Sequence, residues 1–475
     1  MDARLDSNFE SWGGFSERAD RTGLIHGRLW YDPAKGIYLE LVENPRGSKA
    51  FRQAGGQSFK TLYGWLSDGT LVTLEDCFIT NTSFHIGGGI GSPTKVVVNQ
   101  ALLGLHFTGN LNEIEVKQYS IELSSLSPWT CARPSKITMA EDDGKCVGFD
   151  ESWRFPTTIE AALPDKDFDL HIKHSMKMDS AACSSTTTWN ASVSILAHDT
   201  LKLSAAAVLA WQAKNLLSLL VGDGLYIRSA SMELADTAGG SAMSGHAKIL
   251  FKQTGRQDSP DVHAAMMILP YDLVKDKFAT IVQKWFSRHQ QAVLATDVYF
   301  ASEYLRSATV NVRFIVLVQA LESYHRSLGT GMYMDQGAFD EAIREFSTHL
   351  PACLQGSHRD SIKSRLKYGN EYSLRKRLHE MLARLPDDVR SRVAGGDAGR
   401  FVSRIADTRN YYTHYDHEGE GNCLEPKDVF VATERLRILF VANQLVDLGI
   451  PNKQLLTFLE RSEDFKYRMG QELAL

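Results

Sequence analysis

The hydrophobic positions along the chain change their period near residue 275. Before it, short apolar or alternating runs are broken by turn residues every 8–15 positions, which predicts antiparallel β-structure rather than βαβ units. GLIHGRLWYD (23–32) and GIYLELVENP (36–45) form one pair, with Asp32, Pro33 and Gly36 at the turn. SFKTLYGWLSDGTLVTLEDCFI (58–79) forms another around Asp68-Gly69, and KVVVNQALLGLHF and IEVKQYSIELSSL continue the series. DFDLHIKHSMKM (167–178) alternates cleanly, so His171 and His174 fall on opposite faces and make poor co-ligands. LSAAAVLAWQAKNLLSLLVG reads as a buried helix ending at Gly222, after which GLYIRSASMEL and HAKILFKQ return to strand character. Trp12, Trp30 and Trp65 are expected in the β-core, with the alternative that an exposed subset recognises a partner.

From DKFATIVQKWFSRHQQAV onward, helical spacing dominates. VRFIVLVQALESYHRSL (312–328) is apolar on most of its circumference and is expected to be the central, most buried helix. SIKSRLKYG, SLRKRLHEMLARL and FVSRIADTRNYYTHY follow. Pro426 then opens a long helix through VFVATERLRILFVANQLVDLG, closed by Gly449 and Pro451. The pattern therefore predicts an α+β chain: a β-rich, sandwich- or barrel-like domain with an inserted helix over 1–280, with a further break near 150–165 left open, and an all-α bundle over 281–475.

Composition narrows this picture. The chain has 475 residues, 52 Lys plus Arg against 57 Asp plus Glu, and a net charge of -5, which excludes a protein coated in basic charge. The six cysteines are scattered without a CxxC, so neither a disulfide framework nor a zinc ribbon is indicated. MDARLDSNFE lacks an apolar signal core, and no uninterrupted apolar run approaches the roughly 20 residues of a bilayer span, so a cytoplasmic location without membrane attachment is expected. Residues 359–392 hold ten Lys/Arg against five Asp/Glu, which reads equally as a phosphate-binding patch or a solvated face. FHIGGGIGSPTK (84–95) is Gly-rich but lacks P-loop spacing and reads as a hairpin loop.

The candidate chemistry lies at Arg409-Asn410-Tyr411-Tyr412-Thr413-His414. An Arg followed five positions later by His occurs three times, at Arg21/His26, Arg344/His349 and Arg409/His414, so counting does not choose among them. Context does. The first pair sits at a turn, and in the second Glu345 competes for the Arg. Only Arg409 is followed by a neutral hydrogen-bonding residue on a helix whose Phe401, Ile405, Tyr412 and Tyr415 share an apolar face. Asn410 and His414 lie 40° apart on the other side of that helix, with Arg409 at the boundary. The helix is expected to end near His414, because Asp416, Gly419 and Gly421 follow.

TRNYYTH (408–414) resembles the signature of HEPN domains: Arg, a polar residue, a short spacer, then His. RFIVLVQALESYHR (313–326) and LKYGNEYSLRKRL (366–378) are similar to the HEPN domain of ApeA-like anti-phage proteins, and GWLSDGTLVTLEDC (64–77) with GLIHGRLWYD resembles the β-rich domain fused ahead of it. The resemblance implies a metal-independent endoribonuclease acting in abortive infection, with RNA, tRNA among the candidates, as substrate and neither cofactor nor metal. It implies Arg409, Asn410 and His414 as catalytic residues. Histidine titrates near neutral pH and suits acid–base work on a ribose 2′-OH, while a guanidinium fork matches phosphate oxygens. Arg409 and His414 stand 140° apart on one helix, and HEPN dimerisation, bringing two motifs to one cleft, resolves this; a homodimer is expected. Glu322 is expected to support Arg409 as its carboxylate partner, since a buried carboxylate needs one. A phage-derived protein is expected to act as trigger through the N-terminal domain. The alternative is a non-catalytic HEPN module that binds RNA or nucleotide, or serves as a scaffold. HxDH at His414, Asp416 and His417 resembles ligand spacing but is better explained as loop polarity.

Overall fold

A computed structural model of the chain describes residues 3–45, 58–82, 93–181, 184–235, 241–242, 245–255, 260–304, 307–329, 331–351, 353–414 and 421–471. It divides into two compact units, Met1–Phe286 and Ser287–Leu475.

The first unit starts with β1 (Phe9–Ser16), β2 (Ile25–Asp32), β3 (Gly36–Leu41), β4 (Ser58–Leu66), β5 (Leu71–Thr82) and β6 (Thr94–Leu103). These six close on themselves in the order β6-β3-β2-β1-β4-β5, with β5 pairing back to β6, so this part is a barrel with no free edge. Leu29, Leu39 and Val96 are buried while their strand neighbours are more exposed, the alternation expected of one packed face. The barrel wall also needs a position without a side chain, where Val72 and Phe15 pack over the backbone. A Cβ on Gly64 would stand 2.5 Å from Val72 and 2.6 Å from Phe15, so no larger residue fits there.

Beyond it come β7 (Leu105–His106), β8 (Glu115–Leu123), the short α1 (Leu126–Trp129), the ribbon β9 (Ser135–Asp142) and β10 (Lys145–Trp153), β11 (Ile159–Ala161), and the long β12 (Phe168–Ala181) and β13 (Ser184–Lys202). Then follow α2 (Leu203–Val221), β14 (Ile227–Leu234), β15 (Ser241–Ala242), β16 (His246–Phe251), α3 (Tyr271–Val274) and α4 (Phe278–Phe286). β6 carries β3 and then β16 along one edge, and from β16 an open antiparallel sheet runs β16-β14-β8-β13-β12-β11. The inserted helix α2 lies on β8 and β13. By length and composition it is apolar enough to cross a bilayer, in contrast to the expectation, but 61% of that stretch is buried within the fold.

None of the three tryptophans is buried in the β-core, and Trp12 falls to the exposed alternative. Trp12 is 58% exposed, Trp30 is half-buried in a stack on Tyr38 at 4.4 Å, and Trp65 is half-buried edge-on to His106 at 4.6 Å. Register places all three on positions that alternate with the buried ones. The Gly-rich stretch 84–95 falls mostly outside the described residues.

The second unit is helical: α5 (Gln290–Tyr304), α6 (Val310–Ser327), α7 (Gln336–Thr348), α8 (Gly356–Leu366), α9 (Leu374–Ala383), α10 (Asp387–Ala394), α11 (Ala398–His414), α12 (Pro426–Asp447), α13 (Asn452–Leu459) and α14 (Glu463–Gly470). The most buried helix is α12, not α6, although α6 is central in packing against α5, α9, α11 and α12. α12 packs against α6, α9, α10, α13 and α14 and is buried almost continuously from Ala432 to Leu445. α6 buries one face, with Phe314, Leu317, Leu321 and Tyr324 inward and Val312, Gln319 and Arg326 outward. Pro426 occupies the first turn of α12, and Gly449 takes φ 89° just beyond its end, a left-handed conformation that favours glycine.

Candidate active site

The site is built on the last two turns of α11. Phe401, Val402, Ile405 and Ala406 anchor that helix in the core against α6, α9 and α10. Two further contacts fix its exit. The buried Thr408 hydroxyl donates to Arg404 O at 2.7 Å and accepts from the Leu424 N–H at 2.9 Å, so the chain that leaves the helix returns beneath it. Asp407 accepts from Arg375 of α9 at 2.5 Å and from the Ser403 hydroxyl at 3.3 Å. Tyr412 is half-buried with its ring edge-on to Phe314.

Arg409, Asn410 and His414 come next on this rigid support. The Arg409 side chain is 29% exposed. Its Nη1 donates to Asn410 Oδ1 at 3.1 Å, and its Nη2 lies 3.9 Å from Glu322 Oε2 on α6. That ion pair is too long for a hydrogen bond, so it sets the direction of the guanidinium without consuming its donors. Asn410 is exposed, and His414 is the last helical residue, also exposed. Among the described residues no hydrogen bond joins His414 to Arg409. Arg409, Asn410 and Glu322 are therefore brought together, while His414 stands one turn away on the same helix end.

Glu322 is not sealed in the core. Its side chain is 16% exposed and sits between two cations, with Oε1 3.1 Å from Arg326 Nη2 and Oε2 facing Arg409. Arg326 in turn reaches Glu371 at 2.5 Å, and Glu371 lies 3.5 Å from Arg377. Arg377 Nη1 donates to His325 Nδ1 at 3.2 Å, and His325 Nε2 donates to Glu380 at 2.9 Å. Arg326, Glu371 and Arg377 were missed by sequence reasoning. Arg326 was within reach of it, four residues after Glu322 on one helix; Glu371 and Arg377 join only through tertiary packing. The basic stretch 359–392 is not one solvated face: Arg377 is 2% exposed, Arg375 is spent on Asp407, and Arg384 is paired with Asp447. Of the HxDH set, Asp416 and His417 lie outside the described residues.

Comparison with known families agrees with this architecture. The ApeA N-terminal domain 1 family matches residues 19–285, and the Apea-like HEPN family matches 315–454, a range that includes Glu322, Arg409 and His414. The chain belongs to the ApeA-like proteins, an anti-phage HEPN nuclease family, and its helical unit places it in a ribonuclease superfamily. No curated protein and no solved structure matches it.

Proposed function

We propose that the chain is a metal-independent endoribonuclease of anti-phage defence. Arg409 and Asn410 bind the scissile phosphate. His414 takes the proton from the attacking 2′-OH and returns one to the leaving 5′-oxygen, giving a 2′,3′-cyclic phosphate and a 5′-hydroxyl. Two motifs act in one homodimeric cleft, which supplies an Arg409 to the His414 of the other copy. The reaction runs in the cytoplasm, and the N-terminal unit restrains it until a phage-derived protein binds.

The observation that carries this reading is the state of the motif. Arg409 is oriented by Glu322 and Asn410 but keeps donors for a phosphate, and His414 is exposed at a helix end rather than packed away. A motif serving only to pack helices would bury these groups, as Phe401 and Ile405 are buried. The test is cleavage of labelled RNA in EDTA by wild type, Arg409→Ala and His414→Ala. Loss of about 10²–10⁴-fold in each variant, with RNA binding kept in His414→Ala, is expected. Equal cleavage by all three overturns the assignment, and binding without cleavage by wild type leaves a non-catalytic RNA-binding module.

A further inference from the structure

Linked to the candidate active site through the Arg326–Glu322 ion pair is a cavity of about 440 Å³, lined by Arg326, Gly331, Met332, Glu371, Tyr372 and Arg377 among others. Its size falls within the range of roughly 300–1,000 Å³ of small-ligand sites. Two guanidiniums and one carboxylate line it, a net charge of +1. One oxygen, Glu371 Oε2, serves both cations, at 2.5 Å from Arg326 Nη1 and 3.5 Å from Arg377 Nη2. Arg377 is 2% exposed and locked in place: Nε donates to Tyr372 O at 3.0 Å and Nη1 to His325 Nδ1 at 3.2 Å. Gly331, at φ 128°, lets the chain pass over it, since a Cβ there would stand 2.8 Å from Arg377 Nη1. Burial, and then repulsion from Arg326, lower the pKa of Arg377 against the opposing pull of Glu322, Glu371 and Glu380, while Arg326, against its own burial, is shifted up by its bonds to Glu322 and Glu371.

A strand phosphate presents two free oxygens and one negative charge, as the Glu371 carboxylate does, so it can take that carboxylate's place between the two guanidiniums. The cavity is also tied to the motif. Arg326 holds Glu322 at 3.1 Å, and Glu322 faces Arg409 at 3.9 Å. We propose that this cavity is a second phosphate subsite, which takes a neighbouring phosphate of the RNA strand on Arg326 and Arg377 in place of Glu371. It rests on the nuclease reading above and deepens it. When Arg326 turns to the phosphate, Glu322 is left to Arg409 alone, so strand registration tightens the residue that meets the scissile phosphate.

The test is binding of a mixed-sequence, labelled 20-nucleotide RNA to full-length His414→Ala protein in EDTA, followed by anisotropy. Adding Arg326→Gln weakens binding about 5–20-fold and lowers the salt slope by roughly 0.7, the contribution of one single-strand phosphate contact. Adding Glu371→Gln removes the competing carboxylate and tightens binding about 3–10-fold. A merely structural network predicts weakening by both, so opposite signs are required. Unchanged binding in Arg326→Gln, or weaker binding in Glu371→Gln, overturns the proposal. Inorganic phosphate and adenosine monophosphate form the second arm: if either binds through Arg326 while RNA ignores that residue, the site serves a free ligand and the strand assignment fails. Binding is read without cleavage, so a protein that never cuts RNA sinks the nuclease reading while these signs still decide the subsite.

Discussion

At the scale of the residue, what matters at Arg409 is the shape of its charge. Its fork is held on one side by Asn410 Oδ1 at 3.1 Å and faced on the other by Glu322 at 3.9 Å. A lysine keeps the charge but loses the planar fork and the paired donors. Arg409→Lys is therefore expected to lose at least about 10-fold in cleavage. Glu322→Gln is expected to lose less, and mainly in kcat, because it leaves the phosphate ligand in place but unaimed; full activity in either variant contradicts the roles given. The proposed motif could be singled out in the sequence because the alternatives at Arg21/His26 and Arg344/His349 fail on local grounds. Glu322 as partner was legible as a carboxylate late on an apolar helix. Its sharing between Arg409 and Arg326 was not, because the 140° offset along α11 says nothing about which neighbouring helix a side chain meets.

At the scale of the element, α6 and α9 are joined by an imidazole that works only when neutral. Arg377 donates to His325 Nδ1, which fixes the ring proton on Nε2, where it is given to Glu380. Burial, opposed by the hydrogen bond to Glu380 and aided by the Arg377 charge, holds the pKa of His325 below its usual 6.5. The unfolded chain therefore takes up this proton first. The stability contributed is fully present above about pH 6.5 and is lost as pH falls from there towards the lower folded value. Between pH 7.5 and 5.5 the thermal midpoint of wild type should fall further than that of His325→Gln, in which the other histidines still titrate. Parallel profiles would show that this imidazole is not buried neutral. Helix positions were largely readable, since Pro426, Gly449 and the 3.6-residue spacing mark α12 from local sequence alone. Which helix is most buried was not. α12 carries Glu434, Arg435, Arg437, Asn443 and Gln444 in its buried stretch, which made it look less interior than the FIVLVQAL run. Those polar groups are buried because they find partners on other elements: Arg437 with Glu303 at 2.8 Å and Asp464 at 2.9 Å, Glu434 with Arg313 at 3.1 Å.

At the scale of the whole molecule, barrel closure was the part of the first unit that periodicity left undecided. Alternation and turns specify strands; closure depends on β5 returning to β6, a long-range pairing that local patterning does not specify. The chain then presents two units of different character, 1–286 and 287–475, each with its own core. On the proposed function, a ribonuclease acting on its host's RNA must be silent by default, and the helical unit holds the residues proposed for cleavage. Restraint is therefore assigned to the first unit. Expression of residues 287–475 alone is expected to be more toxic to cells than the full chain, and His414→Ala in that fragment should abolish the difference. Sedimentation should show both proteins as dimers, since the proposed shared cleft belongs to the helical unit. A soluble, dimeric fragment no more toxic than the full chain would place the restraint within the helical unit itself, where the Arg326–Glu322–Arg409 series is the nearest means of holding the motif off.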